Sequence, residues 1–306
     1  MKSVIIIVQV LSIILVAPLI SGIIRKIKDN LRMRKGASIF QPYYNFLKLL
    51  SKDEVISENS SWIFKITPFI VLAAAITATC LIPLFGTGFS LNNMGDIFTL
   101  IFILALGRFC LSLAGLDTAS TFSGMGSSRE MFISSLVEPV ALLALFVVAL
   151  NSGSTNLSLI AGVFNFKLSS LVAVIALFMV TISETSRIPI DNHETHLELT
   201  MIHEAMLLEY SGRSLAMLEL ATHIKQMIFF SLIAIILFPL IILPSFGLYQ
   251  ILFTIAFFLL KILIIGTLIA LVEISIAKMR LFRVVDFLGF AFVLSLTALI
   301  IQTWGM

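Results

Sequence analysis

Long apolar runs, joined by short polar connectors, dominate the pattern of hydrophobic and polar positions along the chain. A run of about 20 apolar residues can cross a bilayer as an α-helix. No strand-like alternation is sustained, and an open sheet could not satisfy its backbone hydrogen bonds in lipid. The pattern therefore predicts an all-α integral membrane protein, a bundle forming a single polytopic domain over 1–306. The eight expected spans lie at roughly 3–24, 65–85, 96–115, 130–151, 168–187, 218–243, 248–275 and 285–304.

Two connectors have sequence features that indicate local structure rather than a simple linker. Residues 41–50 begin with a Gln-Pro pair and have one apolar face, which is typical of a short helix lying in the membrane interface. Residues 115–130 are rich in glycine and serine, and we expect a loop with tight turns that lies against a partner.

Composition agrees with the membrane assignment. The chain is 59% hydrophobic and only 12% charged, which is about half the charged fraction of a soluble domain. A net charge of +3 gives no reason to expect a nucleic-acid partner. Cys80 and Cys110 lie inside apolar runs, so we expect neither a disulfide nor a metal site there.

Basic residues cluster in alternate connectors. Six follow the first span between Arg25 and Lys35, whereas the connector at 86–95 has none. Arg129, Arg187 and Arg283 mark the connectors after the third, fifth and seventh spans. Because basic connectors face the cytoplasm, we expect both termini outside and these four connectors inside.

One polar window, Thr181–Gln226, interrupts the apolar pattern. It contains all four histidines and seven of the seventeen acidic residues, which are Glu184, Asp191, Glu194, Glu198, Glu204, Glu209 and Glu219. Acidic residues between membrane spans are costly and usually serve proton or ion movement. The positive-inside pattern places this window, an acidic structured loop between spans 5 and 6, on the cytoplasmic side.

Glu138 and Glu184 are the first candidates for a proton path. Glu138 lies in the middle of the fourth span before Pro139, which would kink the helix and admit water. The alternative is a carboxylate bonded to a neighbouring serine. Glu184 stands three residues before Arg187, so the two share a helix face, and a simple interfacial ion pair is equally compatible with that spacing.

A row of acids follows Pro189. In a new helix capped by Asp191 or Asn192, the residues Asp191, Glu194 and Glu198 share one face. Closely spaced carboxylates cannot all stay ionised, which favours a proton relay, although an ordinary solvated face would look the same. Glu219, Glu273 and Lys261 are further intramembrane candidates, with Lys261 alternatively snorkelling to the interface.

Catalytic and metal motifs are missing from the sequence. His193 and His196 lack the HExxH spacing of zinc proteases, and hydrogen-bonded or solvated histidines explain them better. There is no nucleotide loop, nucleophile elbow, CxxC or haem motif. We therefore expect no catalytic centre and no cofactor in this chain.

These residues resemble a known family. The run E-T-S-R-I-P-I-D at 184–191, the acids after it and L-E-Y-S-G at 208–212 resemble the signature loop of the NuoH-type membrane subunit of complex I. The resemblance continues through Gln41-Pro42, Arg129, Glu138 and Phe282-Arg283, and covers essentially the whole chain.

The connector at 34–42 is shorter than in respiratory complex I and lacks its R-x-G-P-N run, and Ile190 stands where complex I usually has Phe. The shortened connector resembles the branch of formate hydrogenlyase subunit 4, hydrogenase-4 component C and energy-converting nickel–iron hydrogenases. The connector and Ile190 together argue against quinone binding. The resemblance implies a prokaryotic cytoplasmic (inner) membrane. It also implies partners: hydrogenase large and small subunits, iron–sulfur proteins and antiporter-like membrane subunits. The nickel–iron centre and the iron–sulfur clusters would lie in the partners.

The resemblance further implies a coupling role with two sets of residues. The proton path would comprise Glu138, Glu184, Asp191, Glu194, Glu198, Glu204, Glu209, Glu219 and Glu273. The peripheral arm would dock on Arg25, Arg34, Lys35, Gln41, Asp117, Arg129, Arg187, Tyr210, Arg213 and Arg283.

Two alternatives remain open. The quinone-site subunit of a complex I-type oxidoreductase would need a cavity between span 1 and the 41–50 helix, open to lipid and long enough for an isoprenoid tail. A stand-alone transporter would need an inverted repeat, which the hydropathy does not contain.

Overall fold

The computed structural model of the chain describes residues 2–57, 60–83, 95–162, 167–191, 201–238 and 248–305. These residues form eleven α-helices and no strand. The helices are α1 (Lys2–Leu31), α2 (Gln41–Leu50), α3 (Trp62–Leu81), α4 (Ile97–Asp117), α5 (Thr121–Ser152), α6 (Leu157–Gly162), α7 (Leu168–Glu184), α8 (His203–Leu207), α9 (Gly212–Leu237), α10 (Leu248–Ser275) and α11 (Leu281–Thr303). The predicted all-α membrane bundle is confirmed.

Seven of the described helices are long and apolar enough to cross a membrane, namely α1, α3, α4, α5, α9, α10 and α11. The remaining expected span, the fifth at 168–187, corresponds to α7, an apolar helix of 17 residues. Several boundaries differ from the expected ones. α1 continues to Leu31, α5 begins at Thr121 and α9 begins at Gly212, because charged and small residues there remain helical beyond the apolar run. Arg25 and Lys28, expected in a loop, are therefore on α1.

α9 is the centre of the bundle. Every residue from Gln226 to Ile236 is buried, and α9 packs against α1, α3, α7 and α10. A helix that is apolar on all sides needs such a central position. α10 packs chiefly on α1 and α9, whereas α11 packs on α5 and α7.

The polar residues collect at one end of the bundle. We call it the charged end: α1, α4, α7 and α10 finish there, and α3, α5, α9 and α11 begin there. Polar contacts join its segments. The Asp117 carboxylate accepts a hydrogen bond from the Ser61 backbone N–H at 2.8 Å. The Tyr210 hydroxyl donates to the Phe64 carbonyl at 3.1 Å. The Met279 backbone N–H donates to the Pro189 carbonyl at 2.8 Å.

The predicted helix at 41–50 is present as α2. Pro42 occupies its first turn, none of its residues is buried, and the apolar side chains of Tyr44, Leu47 and Leu50 are exposed. An exposed apolar stripe on a short helix fits an interfacial position on the bilayer.

The prediction of a loop at 115–130 was wrong. α4 runs to Asp117 and α5 starts at Thr121, so only three residues separate the two helices. The small residues serve close packing: Gly126 faces α8, and a Cβ there would stand 2.8 Å from Cβ of Ala205 and 3.0 Å from the carbonyl oxygen of Ile202. In membrane proteins small residues commonly allow helices to approach this closely.

This packing gives a stability prediction. Replacing Gly126 by valine should force α8 away from α5 and cost about 1–3 kcal/mol, the usual range for overpacking. Gly124→Val is the matched control on the same helix, because a Cβ at Gly124 meets nothing within 4 Å. The thermal unfolding midpoint of the purified complex in detergent measures the difference, and equal midpoints would contradict the close α5–α8 contact.

Candidate functional site

A cavity of about 560 Å³ opens at the charged end between α1, α2, α7, α8, α9 and α10. Its lining is dense in ionisable groups. The cations are Arg25, Lys28, Arg187 and Lys225, and the carboxylates are Glu184, Asp191, Glu204, Glu219 and Glu273. His203 and His223 also line it. Four cations therefore face five carboxylates, and ion pairs engage Glu184, Asp191 and Glu273.

An ionic chain leads from this cavity into the bundle. Lys225 on α9 lies 2.7 Å from a Glu184 oxygen. The other Glu184 oxygen pairs with the Arg108 guanidinium of α4, whose second nitrogen lies 2.7 Å from Glu138 on α5. The order Lys225, Glu184, Arg108, Glu138 alternates cation and carboxylate across four helices.

Arg108 was missed by the sequence analysis, and it is the residue that joins the two predicted acids. Its side chain is 9% exposed, against 3% for Glu184 and 37% for Glu138. An arginine in a membrane span normally faces the bundle interior and pairs with acids, so its presence in span 3 was the signal that could have revealed the chain.

The predicted pair between Glu184 and Arg187 is not formed. α7 ends at Glu184, and Arg187 lies beyond it in a turn, so the two no longer share a helix face. Arg187 instead pairs with Glu273 on α10 at 2.8 Å, and Lys28 on α1 lies 2.6 Å from the other Glu273 oxygen. This triad ties α10 to α1 and to the segment after α7.

Gln226 extends the triad toward α1. The Arg187 guanidinium donates a hydrogen bond to Gln226 Oε1 at 2.9 Å, because arginine only donates hydrogen bonds. The same oxygen accepts a second hydrogen bond from the Ser21 hydroxyl at 3.0 Å. Ser21 Oγ also lies 2.9 Å from Nδ1 of His223, within hydrogen-bond distance. Gln226 Nε2 is buried and has no hydrogen-bond partner among the described residues.

Asp191 is buried and organises the segment around α8. Its Oδ2 accepts from the backbone N–H of Ile202 at 3.0 Å and of His203 at 3.3 Å, at the start of α8. Its Oδ1 pairs with Lys278 at 2.9 Å. Asp191 therefore caps α8, whose first residue, His203, lies twelve residues later in the chain. The helix expected directly after Asp191 lies outside the described residues. Whether Glu194 and Glu198 share its face lies outside the described residues.

The remaining predicted acids separate into two groups. Glu204 and Glu219 are partly buried and line the cavity, whereas Glu209 is partly buried but does not line it. Lys261 does not snorkel to the interface. It is 3% exposed, and its ammonium donates to the Phe238 carbonyl at 3.1 Å and lies 4.3 Å from the centre of the Phe257 ring.

The E-Y-S-G motif holds the segment before α3 in place. Tyr210 is buried and stacks on Phe64 with ring centres 4.0 Å apart, and its burial raises the pKa of its hydroxyl above the ordinary value. Ser211 Oγ accepts from the Val55 N–H at 2.8 Å and donates to the Val55 carbonyl at 3.0 Å. Gly212 has φ +52° and approaches the backbone of Asp53, which a side chain would prevent.

The predicted docking residues differ in exposure. Arg25, Arg34, Lys35, Arg213 and Arg283 are exposed. Gln41, Asp117, Arg129 and Arg187 are partly buried; Arg129 donates to the Met201 carbonyl at 3.0 Å. Tyr210 is 4% exposed and cannot contribute to a surface, because its hydroxyl and ring are engaged within the fold.

No group of three or more His, Cys, Asp or Glu residues that could hold a metal occurs in the described part of the chain. Cys80 and Cys110 are free, partly buried thiols on separate helices. What the site offers chemically is a set of paired charges and hydroxyls that can exchange protons.

Comparison with known proteins identifies the class. The sequence model of the NADH dehydrogenase family matches residues 2–303, so the chain belongs to that family. It is an integral membrane subunit of the kind found in hydrogenase and complex I-like oxidoreductase complexes, as the sequence motifs indicated.

Three relatives show which proteins this chain is similar to in sequence. Hydrogenase-4 component C of Escherichia coli is 34% identical over 92% of this chain and 91% of its own length. Formate hydrogenlyase subunit 4 of Escherichia coli is 33% identical over 90% of each chain. NADH-quinone oxidoreductase subunit 8 of Rhodothermus marinus is 27% identical over 70% of this chain and 66% of its own.

A chain from the solved structure of the membrane-bound sulfane sulfur reductase, an archaeal respiratory membrane complex, has the same fold. It superimposes with a TM-score of 0.84 over 97% of this chain and 99% of its own, at 21% sequence identity.

Proposed function

We propose that this chain anchors and couples an energy-converting nickel–iron hydrogenase complex of the formate hydrogenlyase type. It docks a peripheral redox arm on its charged end and links electron transfer there to proton translocation. The observation that carries the proposal is the continuous ionic chain from the cavity to Glu138. The higher identity and fuller coverage of the two hydrogenase relatives favour this branch.

Coupling follows from the arrangement of charges. Arg108 keeps its positive charge under all physiological conditions, so the proton occupancies of Glu138 and Glu184 are linked through it. A charge that appears in a docked arm acts on the cavity acids through a low effective dielectric, where interactions are several-fold stronger than in water. Coupled groups then titrate together rather than singly. Reduction in the arm would thus change proton occupancy along the chain.

Glu138 is the exit of this path. Its side chain is 37% exposed on the flank of the bundle, and lipid cannot solvate a carboxylate there. A polar group of an antiporter-like partner subunit covers it in the proposed complex. The exposed basic residues of the charged end, with Met33 and Phe282 exposed beside them, form the docking face for the arm.

Neutralising the path should uncouple the complex. We expect Glu138→Gln and Asp191→Asn to lower coupled turnover by about tenfold or more, the range of a lost proton-transfer group, while the complex still assembles. Asp286→Asn, an exposed acid on α11, is the control. Proton uptake by vesicles containing the complex, divided by redox turnover, is the measurement. If both variants have the same ratio of proton uptake to redox turnover as the control, the proton path lies elsewhere.

The cavity also favours a second candidate, the quinone-site subunit of a complex I-type oxidoreductase, because it reaches Pro42 and Asn45 of α2 at the expected interface. Its charged lining argues against an isoprenoid tail lying along it. Affinity purification of the tagged chain from native membranes separates the two. Nickel with hydrogen-dependent dye reduction supports the hydrogenase; iron without nickel, with quinone-dependent turnover, supports the alternative.

A further inference from the structure

One face of α5 is polar along its buried side. Residues Ser123, Ser127, Glu130, Ser134 and Glu138 follow one another at spacings of four, three, four and four residues, so they lie on one helical face. Both Ser123 and Ser127 are 0% exposed, and Glu130 and Ser134 are 8% exposed. We call this set the α5 polar face. It starts beside α8 and reaches Glu138, the end of the ionic chain.

Ser123 and Ser127 differ from the other serines of this helix. Their hydroxyl oxygens are buried and have no hydrogen-bond partner among the described residues. Ser128 and Ser135, on the opposite and exposed side, donate to the carbonyls of Met125 at 2.9 Å and Phe132 at 2.7 Å. Because buried polar groups are nearly always bonded to protein or water, the inward hydroxyls are available to an ordered water molecule, whereas the outward ones are satisfied by the helix itself.

Glu130 is the acid of this face. It is buried and makes no ion pair with any described residue. The charged groups that act on it are Lys225 and Arg108, which attract its carboxylate, and Glu184 and Asp191, which repel it. They come from α9, α4, α7 and the segment before α8. An unpaired carboxylate is costly in such a place, and a protonated carboxyl group avoids that cost.

We propose that the α5 polar face is a second proton route to Glu138, with Glu130 as its proton-holding residue. The inference rests on the proposed coupling function. In one transfer the Glu130 carboxylic acid gives its proton to the Ser134 oxygen while the Ser134 hydroxyl proton passes to the Glu138 carboxylate. Glu130 is left as a carboxylate, Glu138 becomes the acid, and Ser134 is unchanged. A proton taken up at the charged end then reaches Glu130 through water held by Ser123 and Ser127. Each water molecule accepts one proton as it gives one, so Glu130 is again the acid and the water is unchanged.

This route differs from the ionic chain in one respect. Arg108 can hold the two carboxylates of the ionic chain, but a guanidinium only donates hydrogen bonds and offers no acceptor for a proton. A proton moving from Glu184 to Glu138 must therefore go around the guanidinium. The α5 polar face leads to Glu138 through residues of α5 alone, about one helical turn at a time.

The test compares variants of the whole complex in vesicles, using proton uptake divided by redox turnover. We expect Glu130→Gln to lower this ratio at least about fivefold, because a carboxamide cannot act as a proton donor and acceptor, and Glu130→Asp to restore most of it. Ser134→Ala should lower it too, with Ser135→Ala at the wild-type ratio. Infrared difference spectra of the complex should contain a protonated-carboxyl band that Glu130→Gln removes and Glu130→Asp retains.

The outcomes are distinguishable. If Glu138→Gln lowers the ratio but Glu130→Gln does not, the second route is wrong and the proposed function stands. If Glu138→Gln also has the wild-type ratio, the proposed function itself fails. If the Glu130→Gln complex does not assemble, the test is the ratio of proton uptake to redox turnover in Ser134→Ala compared with that in Ser135→Ala. Equal ratios for these two variants would overturn the route.

Discussion

Replacing Arg108 by methionine is expected to cost about 3–5 kcal/mol of folded-state stability, the usual cost of removing one partner of a buried ion pair. Glu184, whose side chain is 3% exposed, would keep only Lys225 as a cation. Glu138 would lose its only ion-pair partner among the described residues, but its 37% exposure reduces the cost there. Thermal unfolding of the purified complex in detergent measures the loss.

Two comparisons make this expectation specific. Lys65→Met, an exposed cation on α3, removes the same charge and should change little. Adding Glu138→Gln to Arg108→Met should recover more stability than adding Glu184→Gln, because Glu138 loses its only described ion-pair partner, whereas Glu184 still pairs with Lys225. An Arg108→Met protein as stable as Lys65→Met would mean that the guanidinium does not hold the two acids.

Replacing Glu273 by glutamine is expected to have an effect of similar size. The change removes one negative charge from between Lys28 and Arg187, which lie 2.6 and 2.8 Å from its two oxygens, so both cations lose this carboxylate. Losing one member of a buried pair costs about 3–5 kcal/mol. Since α10 packs chiefly on α1 and α9, we expect faster hydrogen exchange near Glu273 as well as a lower unfolding midpoint.

The control for Glu273 is Asp286→Asn, which neutralises an exposed acid on the neighbouring α11. A second change, Lys28→Met, should restore part of the stability of Glu273→Gln by removing one of the two cations that the Glu273 carboxylate had neutralised. If the double variant is less stable than Glu273→Gln alone, repulsion between the cations is not the cause of the loss.

Much of the fold could be predicted because the bilayer imposes the length and the composition of each span. The helix start at Thr121 could not. Glycine and serine favour turns in water, and the close contact of Gly126 with α8 is a tertiary feature that the local sequence does not show. The end of α9 at Leu237 falls inside an apolar run that continues to residue 243, and Pro239 was the signal that the apolar pattern alone did not use.

The individual acids of the site were accessible from sequence, but their partners were not. A charged residue inside an apolar run is easily recognised in the sequence, which is why Glu138, Glu184 and Glu273 could be named. Arg108 pairs with residues 30 and 76 positions away, and no local spacing indicates such pairs. The expected Glu184–Arg187 pair failed for the opposite reason, since local spacing applies only while the helix continues.

The Lys28–Glu273–Arg187 triad also constrains the order in which the protein is made. Ribosomes deliver the N-terminal part first, so Lys28 reaches the membrane with α1 long before Arg187, and Glu273 arrives near the end of synthesis. Until then neither cation has the Glu273 carboxylate beside it. Insertion of α10 supplies this third member, so the triad can form only near the end of synthesis.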